Sequence, residues 1–131
     1  MKTRSLLAAV SLAVFAWGAA AATAADGISA KDQKVVNKSV TAASVTASKA
    51  GYLVVHEADA TGMKAGKILG NVAVKAGENK DVTVPLTSEV KAGSKLILML
   101  HEEADTDAKF DDKDKPVTTA GKIVMQSITV Q

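Results

Sequence analysis

The feature that most limits what this chain can become is its spacing of glycines. Lys-Ala-Gly occurs four times, beginning at Lys49, Lys64, Lys75 and Lys91, and each copy precedes or separates a stretch rich in Val, Leu and Ile. Glycine allows the positive φ that tight turns demand, so these tripeptides read as punctuation between short strands. Within the stretches the apolar period is two: Val82, Val84 and Leu86 alternate with Thr83 and Pro85, and Ile123, Met125, Ile128 and Val130 follow a similar rhythm. The spacing predicts strands over Ser39–Ser48, Tyr52–Ala58, Lys67–Lys75, Lys80–Leu86, Lys95–Glu102 and Lys122–Val130, with Asp26–Asn37 as a seventh. Pro85 has no donor for a ladder, so its strand lies at a sheet edge or carries the proline toward solvent. No segment beyond residue 25 has a 3.6-residue apolar period. The expected fold class is all-β, an immunoglobulin-like two-sheet sandwich of six to eight strands.

The first 25 residues differ in kind. Lys2 and Arg4 give a basic start, Leu6 to Trp17 an apolar run, and Gly18 to Ala25 a string of small residues. That is the layout of a signal peptide, with cleavage leaving Ala25 or Asp26 as the new N-terminus. Ser5 to Ala25 is also long enough to just span a bilayer, but its alanine-rich end makes a poor anchor and a good cleavage region. The chain is therefore read as residues 1–25 signal peptide and 26–131 a single domain, exported to the periplasm or cell exterior, with the membrane involved only in export. Losing Lys2 and Arg4 reduces the 16 basic residues to 14, against 14 acidic ones. A neutral domain has no electrostatic footprint for nucleic acid. There is no cysteine, so neither a disulfide nor a lipid thioether can form, and the core must hold by apolar packing. Only Tyr52 and Phe110 remain as aromatics after the leader, too few for a stacking platform.

Two predicted strands break the alternation. Leu53-Val54-Val55 and Leu96-Ile97-Leu98-Met99-Leu100 are apolar on both faces. One reading is a central strand whose outer face is covered by long neighbouring side chains or the N-terminal segment. The other is a docking face, for self-association through Leu96–Leu100 or for an unknown protein or surface partner.

The order GYLVVHEAD, KILGNVAVKAGENKDVTVPL, KLILMLHEEADTDAKFD and DKPV resembles an uncharacterised domain family found in exported archaeal and bacterial proteins. Its members are similar in placing a V-x-H strand, an aG…nVtVpL hairpin, a L-x-LH-x-D strand and a fD…D-x-P loop in that order. The resemblance covers about Ser44 to Gln131 and implies an immunoglobulin-like fold and an exported location, with no reaction attached. This chain carries Glu-Glu-Ala-Asp where the pattern has an earlier aspartate.

Chemistry is concentrated after the two doubly apolar strands. His56-Glu57-Ala58-Asp59 is echoed by His101-Glu102-Glu103-Ala104-Asp105. Neutral imidazole is the commonest transition-metal ligand, and His56 and His101 with Glu57, Asp59, Glu102 and Asp105 are candidate ligands. Strands in second and sixth place of an immunoglobulin order would run in parallel and bring both segments to one end. Adjacent strands would run antiparallel and put the histidines at opposite ends. The bland alternative is two strand-end histidines, each hydrogen-bonded to backbone. The loop with Asp105, Asp107, Asp111 and Asp112 has carboxylates spaced for Ca²⁺, but it lacks a turning glycine and is interleaved with Lys109, Lys113 and Lys115, the pattern of a salt-bridged soluble loop. Met63, Met99 and Met125 offer thioethers to Cu(I) or simply fill space. A blue-copper centre is excluded by its need for a thiolate.

Catalytic patterns are missing. His101 is followed four residues later by Asp105 and not by the second histidine of the zinc-protease motif. There is no nucleophile elbow, and Gly62–Gly70 precedes a strand where a phosphate loop would open a helix. The sequence thus points to a non-enzymatic exported module, binding or structural, with metal binding as the alternative.

Overall fold

The computed structural model describes residues 25–105, 109–111 and 113–131. Apart from Ala25 the expected leader lies outside these residues, as do Asp107 and Asp112. Nine strands follow in order: β1 (Gly27–Ser29), β2 (Ser39–Ala47), β3 (Gly51–Ala58), β4 (Ala65–Val74), β5 (Gly77–Pro85), β6 (Lys95–Glu102), β7 (Thr118–Thr119), β8 (Lys122–Ile123) and β9 (Met125–Thr129). No helix occurs among the described residues. Strands β1-β2-β5 form one antiparallel sheet and β4-β3-β6-β9 a second, with β7-β8 a separate hairpin. This is the strand order of an immunoglobulin-like sandwich, with the second and fifth strands in one sheet and the third, sixth and last in the other.

The alternation read in the sequence decides which side chains meet between the sheets. Val40, Val45 and Val84 from one sheet pack against Leu53, Val55, Leu96, Leu98 and Leu100 from the other, all at most 1% exposed. Burying each such side chain contributes about 1.5–3 kcal/mol, which is how a cysteine-free domain of this size holds together. β5 sits at the edge of its sheet, so Pro85 at its end leaves no internal ladder broken.

The glycines serve more varied ends than simple punctuation. Gly77, the first residue of β5, and Gly93, in the turn before β6, have φ of 101° and 92°. Gly51 opens β3 for a different reason: a Cβ there would lie 2.1 Å from the carbonyl oxygen of His101. The strand expected over Lys122–Val130 splits, because Ala120 and Gly121 both take positive φ (54° and 81°) and close the β7-β8 hairpin. The N-terminal segment contributes only three strand residues. Beyond them Gln33 ties the sheets together, exchanging side-chain bonds with the Thr41 backbone and backbone bonds with Thr129 and Gln131.

Candidate functional site

On the strands of the second sheet, the residues between the core positions point the other way. Register places Tyr52 opposite His101, Val54 opposite Met99, and His56 opposite Ile97 across β3 and β6. This outer face is as dry as a core: Val54 and Ile97 are fully buried, and Tyr52, Met99, His56 and His101 are 5–7% exposed. The Leu96–Leu100 stretch is therefore covered on both sides in a central strand flanked by β3 and β9. The described N-terminal strand pairs with the other sheet, Gly27–Ser29 against β2. The chain after β6 folds back so that Phe110 meets Tyr52 edge-on at 5.7 Å and His101 at 5.1 Å.

β3 and β6 are antiparallel neighbours, yet the histidines are not at opposite ends. Their backbone positions are four residues apart along the ladder, roughly 13 Å, but both side chains lean over the Val54–Met99 row between them. The rings come to 5.9 Å between centroids with 22° between their planes. A register irregularity in the β3-β4 pairing flanks His56 on both sides, the kind of local bulge that re-aims a side chain.

Each ring is oriented through one nitrogen. His56 Nδ1 lies 3.0 Å from the carbonyl oxygen of Gly66, and His101 Nδ1 lies 2.8 Å from that of Asp114. A carbonyl only accepts, so each neutral imidazole carries its proton on Nδ1 and donates it there. That leaves both Nε2 atoms as acceptors, and both are buried without a hydrogen-bond partner among the described residues. Burial holds the His101 pKa below its ordinary 6.5, and the neighbouring His56 adds to this; the Asp114 carbonyl and carboxylate oppose it. The neutral form that leaves a lone pair on Nε2 is the favoured one.

The loop behind His101 is folded by its own acid. Asp114, 3% exposed, accepts the Ala104 N–H on Oδ1 and the Asp111 N–H on Oδ2, both at 2.8 Å. These bonds, first that from Ala104, hold its carboxyl below the usual carboxylate range. They also fix the carbonyl that receives the His101 proton. Tyr52 donates its hydroxyl to Glu103 Oε2 at 2.6 Å, pinning the start of the loop to β3. In the sequence Asp114 and Glu103 belong to the acidic run from Glu102 to Asp114 but not to the candidate ligands. Their signal was faint: two more acids in an acidic run.

The flanking acids do not join the imidazoles. Glu57 and Glu102 follow their histidines directly and so fall on the opposite strand face; Glu57 lines an open cleft with Leu69, Lys91 and Leu96 at the sandwich end. Asp59 closes the turn after β3 by accepting from the Thr61 hydroxyl and the Met63 and Lys64 N–H groups, and the Thr61 bond leads in lowering its pKa. Asp105 joins Glu103 and Asp114, their oxygens within 4.8 Å of one another. Within that trio Asp114 accepts from two backbone N–H groups, Glu103 accepts from Tyr52, and Asp105 Oδ2 pairs with Lys113 at 3.5 Å. Asp111 caps its own turn by accepting the Lys113 N–H. Met63 is 69% exposed and Met125 38%.

A family model described as a domain of unknown function (DUF7282) matches residues 26–131. No curated protein and no solved structure matches the chain.

Proposed function

The chain belongs to the DUF7282 family, whose description names no function, and on the geometry of its outer face we propose that it is an exported, non-catalytic module that holds one transition-metal ion between His56 Nε2 and His101 Nε2. One observation carries the reading: two imidazoles whose centroids lie 5.9 Å apart, each steered through Nδ1 by a backbone carbonyl, each keep a buried Nε2 with no hydrogen-bond partner among the described residues. Metal-ligating histidines characteristically donate their other ring N–H to a carbonyl or carboxylate, which fixes tautomer and orientation. A buried acceptor left without a donor costs about 1–3 kcal/mol. Having two of them adjacent is expensive for a structure with no use for them. The spacing also suits a shared ion: at a metal–nitrogen distance of about 2.0–2.1 Å, two imidazoles on one ion hold their centroids roughly 5–6.5 Å apart, and these lie 5.9 Å apart.

Export rests on the basic, apolar and small-residue layout of residues 1–25. The absence of catalysis rests on the lack of any nucleophile–base pattern in the sequence. N-terminal sequencing of the protein recovered outside the cytoplasm checks export, with Ala25 or Asp26 expected first. Calorimetric titration of metal-free protein with Zn²⁺ and Cu²⁺ tests the site. One ion per chain is expected, lost in His56→Gln and in His101→Gln. Silence with both ions, and with Cu⁺ under reducing conditions, removes the metal reading and leaves a purely structural sandwich.

A further inference from the structure

We infer that the ion this site is built for is monovalent copper, held by His56 Nε2, His101 Nε2 and the thioether of Met99. The inference rests on the two-histidine reading and narrows it by what surrounds the two nitrogens. Met99 occupies the row that both rings lean over, paired with Val54, and is 6% exposed. Across the neighbouring ladders the same row continues into Asn71 on β4 and Met125 on β9, both exposed; the other neighbours on the face among the described residues are Tyr52, Val54, Ile97 and the Phe110 ring, and the Tyr52 hydroxyl is committed to Glu103. Oxygen donors are turned elsewhere. Glu57 and Glu102 are on the opposite strand face, and both Asp114 oxygens are held by backbone N–H groups.

Such a donor set selects by charge and softness. Zn²⁺ favours four ligands, commonly with anionic thiolate or carboxylate among them, and Ca²⁺ and Mg²⁺ need an oxygen shell. Among the described residues, apart from the Tyr52 hydroxyl held by Glu103, the buried donors on this strand face are two neutral nitrogens and one neutral sulfur, in an apolar setting. The cost of burying an ion there grows with the square of its charge, so a divalent ion without a charged ligand meets about four times the penalty of a monovalent one. Cu⁺ combines a single charge with a preference for imidazole and thioether and needs few ligands. In a chain with no cysteine, a methionine flanked by two histidines is the softest site available.

The test is competition for Cu⁺ against a chromogenic chelator under anaerobic, reducing conditions, run beside Zn²⁺ titration on the same preparations. Wild type is expected to bind one Cu⁺ at least about a hundredfold more tightly than Zn²⁺. Met99→Leu, close in volume, is expected to weaken Cu⁺ by more than the roughly 10–100-fold that changes outside the ligand shell cause, while leaving Zn²⁺ affinity and the metal-free melting curve unchanged. X-ray absorption at the copper edge is expected to show two imidazoles and one sulfur, the sulfur disappearing in Met99→Leu. If Zn²⁺ binds as tightly as Cu⁺, the copper inference is overturned and the two-histidine site survives. Cu⁺ binding unaffected by Met99→Leu overturns the thioether. If neither ion binds, the site reading itself falls.

Discussion

The two faces of the central β3-β6 pair are both buried, and by opposite means. On the inner face Leu53, Val55, Leu96, Leu98 and Leu100 meet the valines of the other sheet, and each atom removed from water gains an apolar partner. On the outer face the cover is a loop that closes through Phe110 and Asp114, and under it lie two imidazole nitrogens with no hydrogen-bond partner among the described residues. Among those residues the inner face carries no such half-satisfied polar group, and that contrast is what the proposed metal site accounts for, because burial without a partner is what a ligand relieves.

Substitutions that treat the faces differently break or sharpen this comparison. The largest loss is expected from Leu98→Ala on the inner face, about 2–5 kcal/mol, read as a lower midpoint in urea with metal affinity per folded molecule retained. Gly51→Ala comes next, because its new Cβ would meet the His101 carbonyl oxygen at 2.1 Å. It is expected to cost about 1–3 kcal/mol or more and, unlike Leu98→Ala, to weaken metal binding as well, since the backbone that carries His101 must shift. Asp114→Ala leaves the Ala104 and Asp111 N–H groups without their acceptor and is expected to cost about 1–3 kcal/mol. Faster hydrogen exchange confined to the loop, with the inner face still protected, is the predicted pattern. At the small end, Glu78→Gln in the exposed Glu78–Lys80 pair is expected to leave the midpoint within about 0.5 kcal/mol of wild type.

Acid separates the faces without mutation. The folded-state pKa of His101 is lowered, so the unfolded chain binds a proton first and the stability contributed by the neutral ring is complete above 6.5 and declines as pH falls below it. Asp114 and Asp59 are also lowered, from 3.8, and their contribution is lost in a second, more acidic window. Melting curves of metal-free protein are expected to fall in two stages. His101→Phe is expected to flatten the first, and a saturating metal to deepen it, because protons then compete with the ion for Nε2.

The architecture could be read from residue pattern alone because it depends on local period. Alternation in Val82–Val84–Leu86, turns at Gly77 and Gly93 and the edge position of Pro85 all follow from sequence spacing of two or three residues. The β7-β8 hairpin escaped because its strands are two residues long and one of its two left-handed turn residues is Ala120, a type that rarely adopts that conformation. The site was half legible. His56 and His101 stood out as an echoed pair, but their meeting depends on the reach of two side chains across a ladder row, a distance no spacing rule contains. The acids beside them drew attention by proximity in sequence, whereas strand alternation sends Glu57 and Glu102 to the other face. Asp114, thirteen residues after His101, matters through a backbone carbonyl, and a carbonyl leaves no trace in residue type.

The central claim is that both Nε2 atoms stand bare and face a common ligand. Long-range proton–nitrogen correlation spectra of the two imidazoles test it most directly, recorded on metal-free protein at neutral pH and again with one equivalent of metal. Nδ1–H tautomers are expected for both rings, with a simultaneous shift of both Nε2 resonances on adding the ion. A proton on Nε2 of either ring, or a response from one ring alone, would contradict it.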